Sequence, residues 1–228
     1  MIDEALRFDP QELEAVTSNH ALELGISPPA WARFLAELEP LKRHNESMYM
    51  HSLRVGLYAA NLARREGVVD LKYALFAGCG HDVGKCEVTN DLLNSKNLQP
   101  DEFEQIKQHA AIGYLRLRDK FLLTSMVAGL HHKFQPSGYG IDLDVEAPPW
   151  MTPGLKKLIV ETAHLVMICD FFDALTTRSN NKGLIKNPAD PVEQTEVMMR
   201  FFPQERARVE ALVRGKTISS HGIDNVAA

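Results

Sequence analysis

Histidine and aspartate recur in this chain where the apolar pattern turns them inward. The stretch GCGHDVGK, Gly78 to Lys85, sets His81, Asp82 and Lys85 among glycines directly after an apolar run. Burying such charged groups is costly unless something holds them. His51 lies upstream, and His109, the pair His131-His132 and Asp170 follow. Imidazole nitrogens mixed with carboxylate oxygens suit iron, manganese, zinc or nickel better than calcium or magnesium alone. Seven such groups exceed what one ion with open positions needs, so the pattern predicts two divalent transition metal ions. Any single inward histidine is most simply a hydrogen-bonded core residue. Five imidazoles and two carboxylates converging without cations, however, would leave buried charge and polar groups unmet.

Helices must bring these groups together. Almost every apolar stretch follows helical rather than alternating spacing, which predicts an all-α fold, a bundle around a buried dinuclear metal site. Val55, Tyr58 and Leu62 follow His51 at helical intervals, and Leu71, Leu75, Gly78 and Asp82 repeat the spacing, which sets both ligands on core-facing stripes. A third helix opens near Pro100 and carries Phe103, Ile106, His109, Gly113 and Leu117 on one face, and a fourth runs from about Leu122 to His132. Gln135 to Pro153, rich in Pro, Gly and Asp, reads as a long loop beside the functional site or a lid over it. A buried helix from about Gly154 to Thr177 then aligns Ile159, Val166, Asp170, Asp173 and Thr177. The whole chain reads as one domain: a helical extension over 1–44, a core over 45–182, and a C-terminal helix with a frayed tail over 183–228.

The bulk numbers limit the partners. A chain of 228 residues, 45% hydrophobic, is long enough for a sizeable core. Its net charge is −5 and it has no basic run, which argues against a nucleic acid polymer or an anionic membrane as partner. Three cysteines, Cys79, Cys86 and Cys169, show no CxxC spacing, so neither a disulfide framework nor a cysteine zinc site is expected, and the compartment reads as cytoplasmic. The most apolar run, LIVETAHLVMICDFF, is too short to span a membrane and is broken by Glu161, His164 and Asp170.

The pieces HSLRVGLYAANLA, GHDVGK, IKQHAAIGY, LHHKFQPSGYG and CDFFDALTT, in this order over residues 51 to 177, resemble the HD superfamily of metal-dependent phosphohydrolases. Within it they look most like the HD-GYP type of cyclic di-GMP phosphodiesterase. The resemblance implies a helical HD fold in which Asp82 bridges two metals. His51, His81 and Asp170 would complete one site, and His109, His131 and His132 the other. Two departures bear on substrate choice: the Gly-Tyr-Pro of that type is Gly138-Tyr139-Gly140 here, and the loop after the histidine pair is one residue shorter. Three-metal members carry a Glu four residues before the first His, where this chain has Ser47 beside Glu46, so two metals are expected. The arginine after DALT sits one place early as Arg178, with Lys182 as the alternative phosphate contact.

Two divalent ions against two aspartates and a bridging hydroxide leave a locally positive site that attracts phosphate. A metal lowers the pKa of its water to about 7, so the bridging hydroxide could attack phosphorus in line without a separate strong base. Lys85, with glycines at 78, 80 and 84 leaving room for a ligand, would meet charge on a non-bridging oxygen in the transition state. Tyr139 would contact the substrate beside the metals. Asp173, one turn after Asp170, would orient a ligand histidine or sit in a salt bridge. The leading reading is therefore a phosphodiesterase acting on a cyclic dinucleotide such as cyclic di-GMP. Iron or manganese is the first choice of metal, then zinc, nickel or magnesium, and an oligomer or signalling partner is compatible with it. The competing readings are a mixed-valent diiron oxygenase of the same fold, a nucleotide phosphomonoesterase, and a non-catalytic signalling module.

Overall fold

The computed structural model describes residues 8–95, 97–135, 137–177, 183–215, 218–219 and 222–223. Arg178 and Lys182 lie outside the described residues. The architecture is all-α. In chain order the helices are α1 (Pro10–Glu23), α2 (Pro28–His44), α3 (Glu46–Glu66), α4 (Leu71–Gly80), α5 (Asn90–Asn94), α6 (Pro100–Leu117), α7 (Leu122–Leu130), α8 (Leu143–Glu146), α9 (Pro153–Thr177), α10 (Pro191–Phe201) and α11 (Arg206–Arg214).

α3 runs through the middle of the molecule, and every residue from His51 to Ala63 is buried. Such a helix must be covered on all sides, and α1, α2, α4, α9 and α11 cover it. Asn45 starts it by accepting from the Met48 amide, and Gly67, at φ 65°, stops it in the left-handed conformation. Its tightest contact is with α4: a Cβ built on Gly78 would lie 2.6 Å from the Gly56 Cα, so the two backbones touch. That contact fixes His51 and His81, which flank it, relative to each other.

A cluster of aromatic rings fastens the outer side. Phe34 of α2 meets Phe76 of α4 edge-on at 4.7 Å and Phe121, at the entrance to α7, at 5.2 Å. Edge-to-face pairs of this kind contribute about 0.5–1.5 kcal/mol each beyond their buried area.

Several local features differ from the sequence expectations. α4 ends at Gly80, so Asp82 lies beyond the helix and opens a 3-10 turn, Val83–Glu87, instead of continuing the helical stripe. The glycines at 78, 80 and 84 do not make room for a ligand. Gly78 faces Gly56, Gly80 faces Thr124, and a Cβ on Gly84 would lie 2.0 Å from the His109 carbonyl oxygen. They allow close packing, and the last contact seats the 3-10 turn directly on α6. α7 stops at Leu130, and His131 is its C-terminal cap. At the C-terminal end Ile218 pairs with Ile223 and Ser219 with Gly222 in a small antiparallel hairpin that the helical pattern did not suggest. Among the described residues no helix is long and apolar enough to cross a membrane.

Candidate metal centre and cleft

All seven predicted ligands converge, and they fall into two groups that share one carboxylate. His51, His81, Asp82 and Asp170 form the first, and Asp82, His109, His131 and His132 the second. Within each group the ligand atoms lie within 4.8 Å of one another. Exposed Glu46 belongs to neither.

In the first group His51 Nε2 lies 3.0 Å from Asp170 Oδ1 and 3.5 Å from Asp82 Oδ2, and His81 Nε2 lies 3.3 Å from Asp82 Oδ2. In the second, Asp82 Oδ1 is 3.3 Å from His109 Nε2 and 3.7 Å from His131 Nε2, and these two nitrogens are 3.4 Å apart. Ligands about 2.0–2.2 Å from one ion at tetrahedral or octahedral angles are themselves roughly 3–3.5 Å apart. Asp82 thus presents one oxygen to each group.

The hydrogen bonding behind the rings points the same way. His81 Nδ1 meets the Gly78 carbonyl at 2.7 Å, His109 Nδ1 that of Ile106 at 2.6 Å, and His131 Nδ1 that of Ala128 at 2.8 Å. Each carbonyl lies three residues upstream on the same turn, and a proton donated to it leaves Nε2 with a lone pair toward the centre. His81 Nε2, Asp82 Oδ1 and His132 Nδ1 are buried with no hydrogen-bond partner among the described residues. Orphaned atoms of this kind cost about 1–3 kcal/mol each. A pair of cations would satisfy them, so the residues fit the metals that the donor set implies.

Burial and charge separate the two groups. It pushes His109 down to about 3 and His132 down to about 4, and holds His131 well below the ordinary range, which keeps all three neutral as ligands must be. Burial also opposes charge on His81, yet Asp82 and Asp170 lift its pKa to about 10, so an ion bound at the first group would have to displace a proton from this ring. Burial pushes the Asp82 carboxyl up, but the His81 and Lys85 charges outweigh it and hold that carboxyl well below the usual carboxylate range.

Lys85 is buried and donates to Asp82 Oδ2, so it is not a solvated surface lysine. Asp173 is fully buried, and its carboxylate accepts from His51 Nδ1 at 2.7 Å and from Arg54 Nε and Nη2 at 2.7 and 2.9 Å. It therefore holds the candidate ligand His51 and a salt bridge at once. Arg54 escaped the sequence reading. The only signal was a charge one turn after His51 on an otherwise apolar helix.

The centre floors a cleft of about 470 Å3, within the range of small-molecule sites. Lys85, His109, His132 and Asp170 reach it from below, and Gln135 and Tyr139 from the loop after α7. The Tyr139 ring stacks on His132 with centroids 4.6 Å apart. Behind it Gly140, at φ 125°, packs so closely that a Cβ there would lie 2.0 Å from the Gly129 carbonyl oxygen.

The family model of the HD domain matches residues 48–177. The chain belongs to the HD domain family. A cyclic di-GMP phosphodiesterase of Thermotoga maritima is 29% identical to this HD protein over 200 residues, 80% of this chain and 50% of its own length. A probable cyclic di-GMP phosphodiesterase of Vibrio cholerae is 29% identical over 151 residues, 56% of this chain and 32% of its own. The chain thus spans half or less of the length of these curated relatives. Two crystal structures of the HD domain of the L. monocytogenes phosphodiesterase PgpH, one in complex with cyclic-di-AMP, share the fold. Their TM-scores are 0.52 and 0.53 at 14% and 13% identity, and the likeness covers 78% of this chain in each case and 95% and 92% of theirs.

Proposed function

We propose that this HD protein is a metal-dependent phosphodiesterase that opens a cyclic dinucleotide such as cyclic di-GMP to its linear form. The observation that carries the reading is the pair of ligand groups joined through Asp82 at the floor of a cleft of about 470 Å3. The names of the curated relatives support the choice of substrate.

His51, His81, Asp82 and Asp170 would hold one divalent ion and Asp82, His109, His131 and His132 the other, with iron or manganese the first candidates. When bound, such ions polarise a phosphoryl oxygen and acidify a water to a pKa of about 7. The protein's own part is to hold the phosphate and meet the charge that develops. Lys85 lines the cleft with its ammonium beside the shared carboxylate, and it would donate to a non-bridging oxygen as negative charge builds there. Asp173 and Arg54 keep the His51 ring in place. Tyr139 limits the cleft on the His132 side, and Arg178 and Lys182 are the proposed further phosphate contacts. One P–O ester bond breaks, a water oxygen joins the phosphorus, and the leaving ribose oxygen takes a proton. Three free thiols, two of them buried, support a cytoplasmic setting.

Chromatography of cyclic di-GMP after incubation with iron- and manganese-loaded protein, beside an Asp82→Ala control, tests the reading. A linear product formed by the wild type alone is the expected result. An intact dinucleotide with both metals, while another phosphodiester or a nucleotide is hydrolysed, overturns the substrate and leaves the broader hydrolase.

A further inference from the structure

A run of aromatic rings leads outward from the second ligand group, and a separate aromatic cluster, next to Asp170 in the sequence, lines the same cleft. From the second group, the His132 ring stacks on Tyr139 at 4.6 Å and 28°, and Tyr139 meets Phe103 of α6 edge-on at 6.4 Å. The Lys107 ammonium lies 5.0 Å from the Phe103 centroid and 5.8 Å from that of Tyr139, which ties these two rings together. On α9, Phe171 follows Asp170 in the sequence, and its ring packs on Phe201 of α10 at 4.7 Å. Phe201 is the last residue of α10, and its neighbour Phe202 is buried and meets Phe171 edge-on at 5.2 Å. His132, Tyr139, Phe103, Asp170, Phe171 and Phe201 all line the cleft. Phe103 and Phe201 are each 39% exposed. A single exposed phenylalanine needs no explanation. Two of them, both lining the cleft that His132 and Asp170 also line, do.

We propose that Phe103 and Phe201 are stacking platforms for the two bases of the substrate, one on each side of the scissile phosphodiester. This rests on the phosphodiesterase reading above and deepens it: the ligand class is a phosphodiester flanked by two planar heterocycles. Aromatic rings accept any base face, at about 1–3 kcal/mol per base, while the floor fixes the phosphate between them. A nucleoside monophosphate carries one base and would engage only one platform. Phe201 also brings α10, which lies outside the stretch matched by the family, into substrate recognition.

The test uses the metal-loaded full chain with Phe103→Ala, Phe201→Ala and the double variant, and Phe→Tyr at each position as the ring-retaining control. Each alanine variant should raise KM for cyclic di-GMP about tenfold, and the double variant about a hundredfold, with kcat within about twofold. Titration calorimetry with a hydrolysis-resistant phosphorothioate analogue of cyclic di-GMP should show the same losses of affinity. The tyrosine variants should match the wild type, and inhibition by inorganic phosphate should not change in any of them. Unchanged KM and affinity in both alanine variants overturn the proposal, and so do equal losses in alanine and tyrosine variants. If the wild type cleaves the dinucleotide and the alanine variants keep its KM, the platforms fail and the phosphodiesterase reading stands. If the wild type binds the analogue through both phenylalanines but opens no dinucleotide, the platforms stand and the reaction is another.

Discussion

The two ligand groups share Asp82 but are anchored by different means. In the second group His109 and His131 lean on backbone carbonyls three residues upstream, at 2.6 and 2.8 Å. Once the helix forms, the ring is placed. In the first group His51 is held by the Asp173 carboxylate, 122 residues away in sequence, and that carboxylate is held in turn by Arg54. His81 of the first group also leans on a carbonyl three residues upstream, that of Gly78, so the first site differs in one ligand candidate, His51, whose place depends on the packing of α3 against α9. The charges divide in the same way. Two carboxylates face two imidazoles on the first side, and one carboxylate faces three imidazoles on the second. The first side should hold its ion by charge, and it should be the side that a single distant substitution can disable.

Asp82→Ala is the largest perturbation, because it removes the only group common to both sides. The wild type is expected to carry about two ions per chain and the variant to lose both, with a lowered melting temperature because metal binding is linked to folding. Elemental analysis after anaerobic reconstitution measures it. Wild-type metal content in the variant would show that Asp82 bridges nothing.

Asp173→Asn separates the two sides. It breaks the buried ion pair between Asp173 and Arg54, and breaking such a pair costs about 3–5 kcal/mol. It also replaces the charged acceptor of the His51 ring by a neutral one, which should weaken metal binding about 10–100-fold at the first group and leave the second unaffected. Metal titration of the variant should show one tight and one weakened site. Equal weakening of both would mean that the sides are not anchored independently.

These contrasts follow what could be read in the sequence. His51 and His109 were legible as candidate ligands because each sits at helical spacing from apolar residues, and a ring that leans on its own turn, as His109 does, needs no distant information. Even the break after Gly80, which takes Asp82 off the helical stripe, left it within reach of both groups. The Asp173–Arg54 pairing was not legible, because an aspartate one turn after a ligand fits a salt bridge as well as a supporting role, and nothing in the chain names its partner. The glycines of GCGHDVGK misled for a related reason. A glycine marks close approach without saying to what, and here Gly78 and Gly84 meet protein backbone.

Lys85→Ala should leave both ions in place, since the ammonium touches the shared carboxylate without being a ligand. Turnover should fall far more than affinity for substrate, by about a hundredfold in kcat if its donor meets charge that exists only in the transition state. Steady-state kinetics on metal-matched protein decide it. A rise in KM alone would make Lys85 a ground-state contact.

The smallest effect, and the one that bears most closely on the loop above the second group, concerns Gly140. The HD-GYP type carries proline at this place, so Gly140→Pro restores the pattern of the family. The structure argues that the restoration harms this chain. Gly140 sits at φ 125°, whereas proline is locked near −65°, and any Cβ there would run into the Gly129 carbonyl oxygen, which already accepts from the Ile141 amide at 3.0 Å. The loop must give, at a cost of about 1–3 kcal/mol. Because Tyr139 precedes it, the ring stacked on His132 should shift with it. Denaturant unfolding should show that loss of stability, and cyclic di-GMP turnover should fall while metal analysis still finds both ions, since no ligand lies in the displaced segment. A Gly140→Pro variant with undiminished stability and raised turnover would show that the loop takes the proline conformation and that Tyr139 does not owe its position to Gly140.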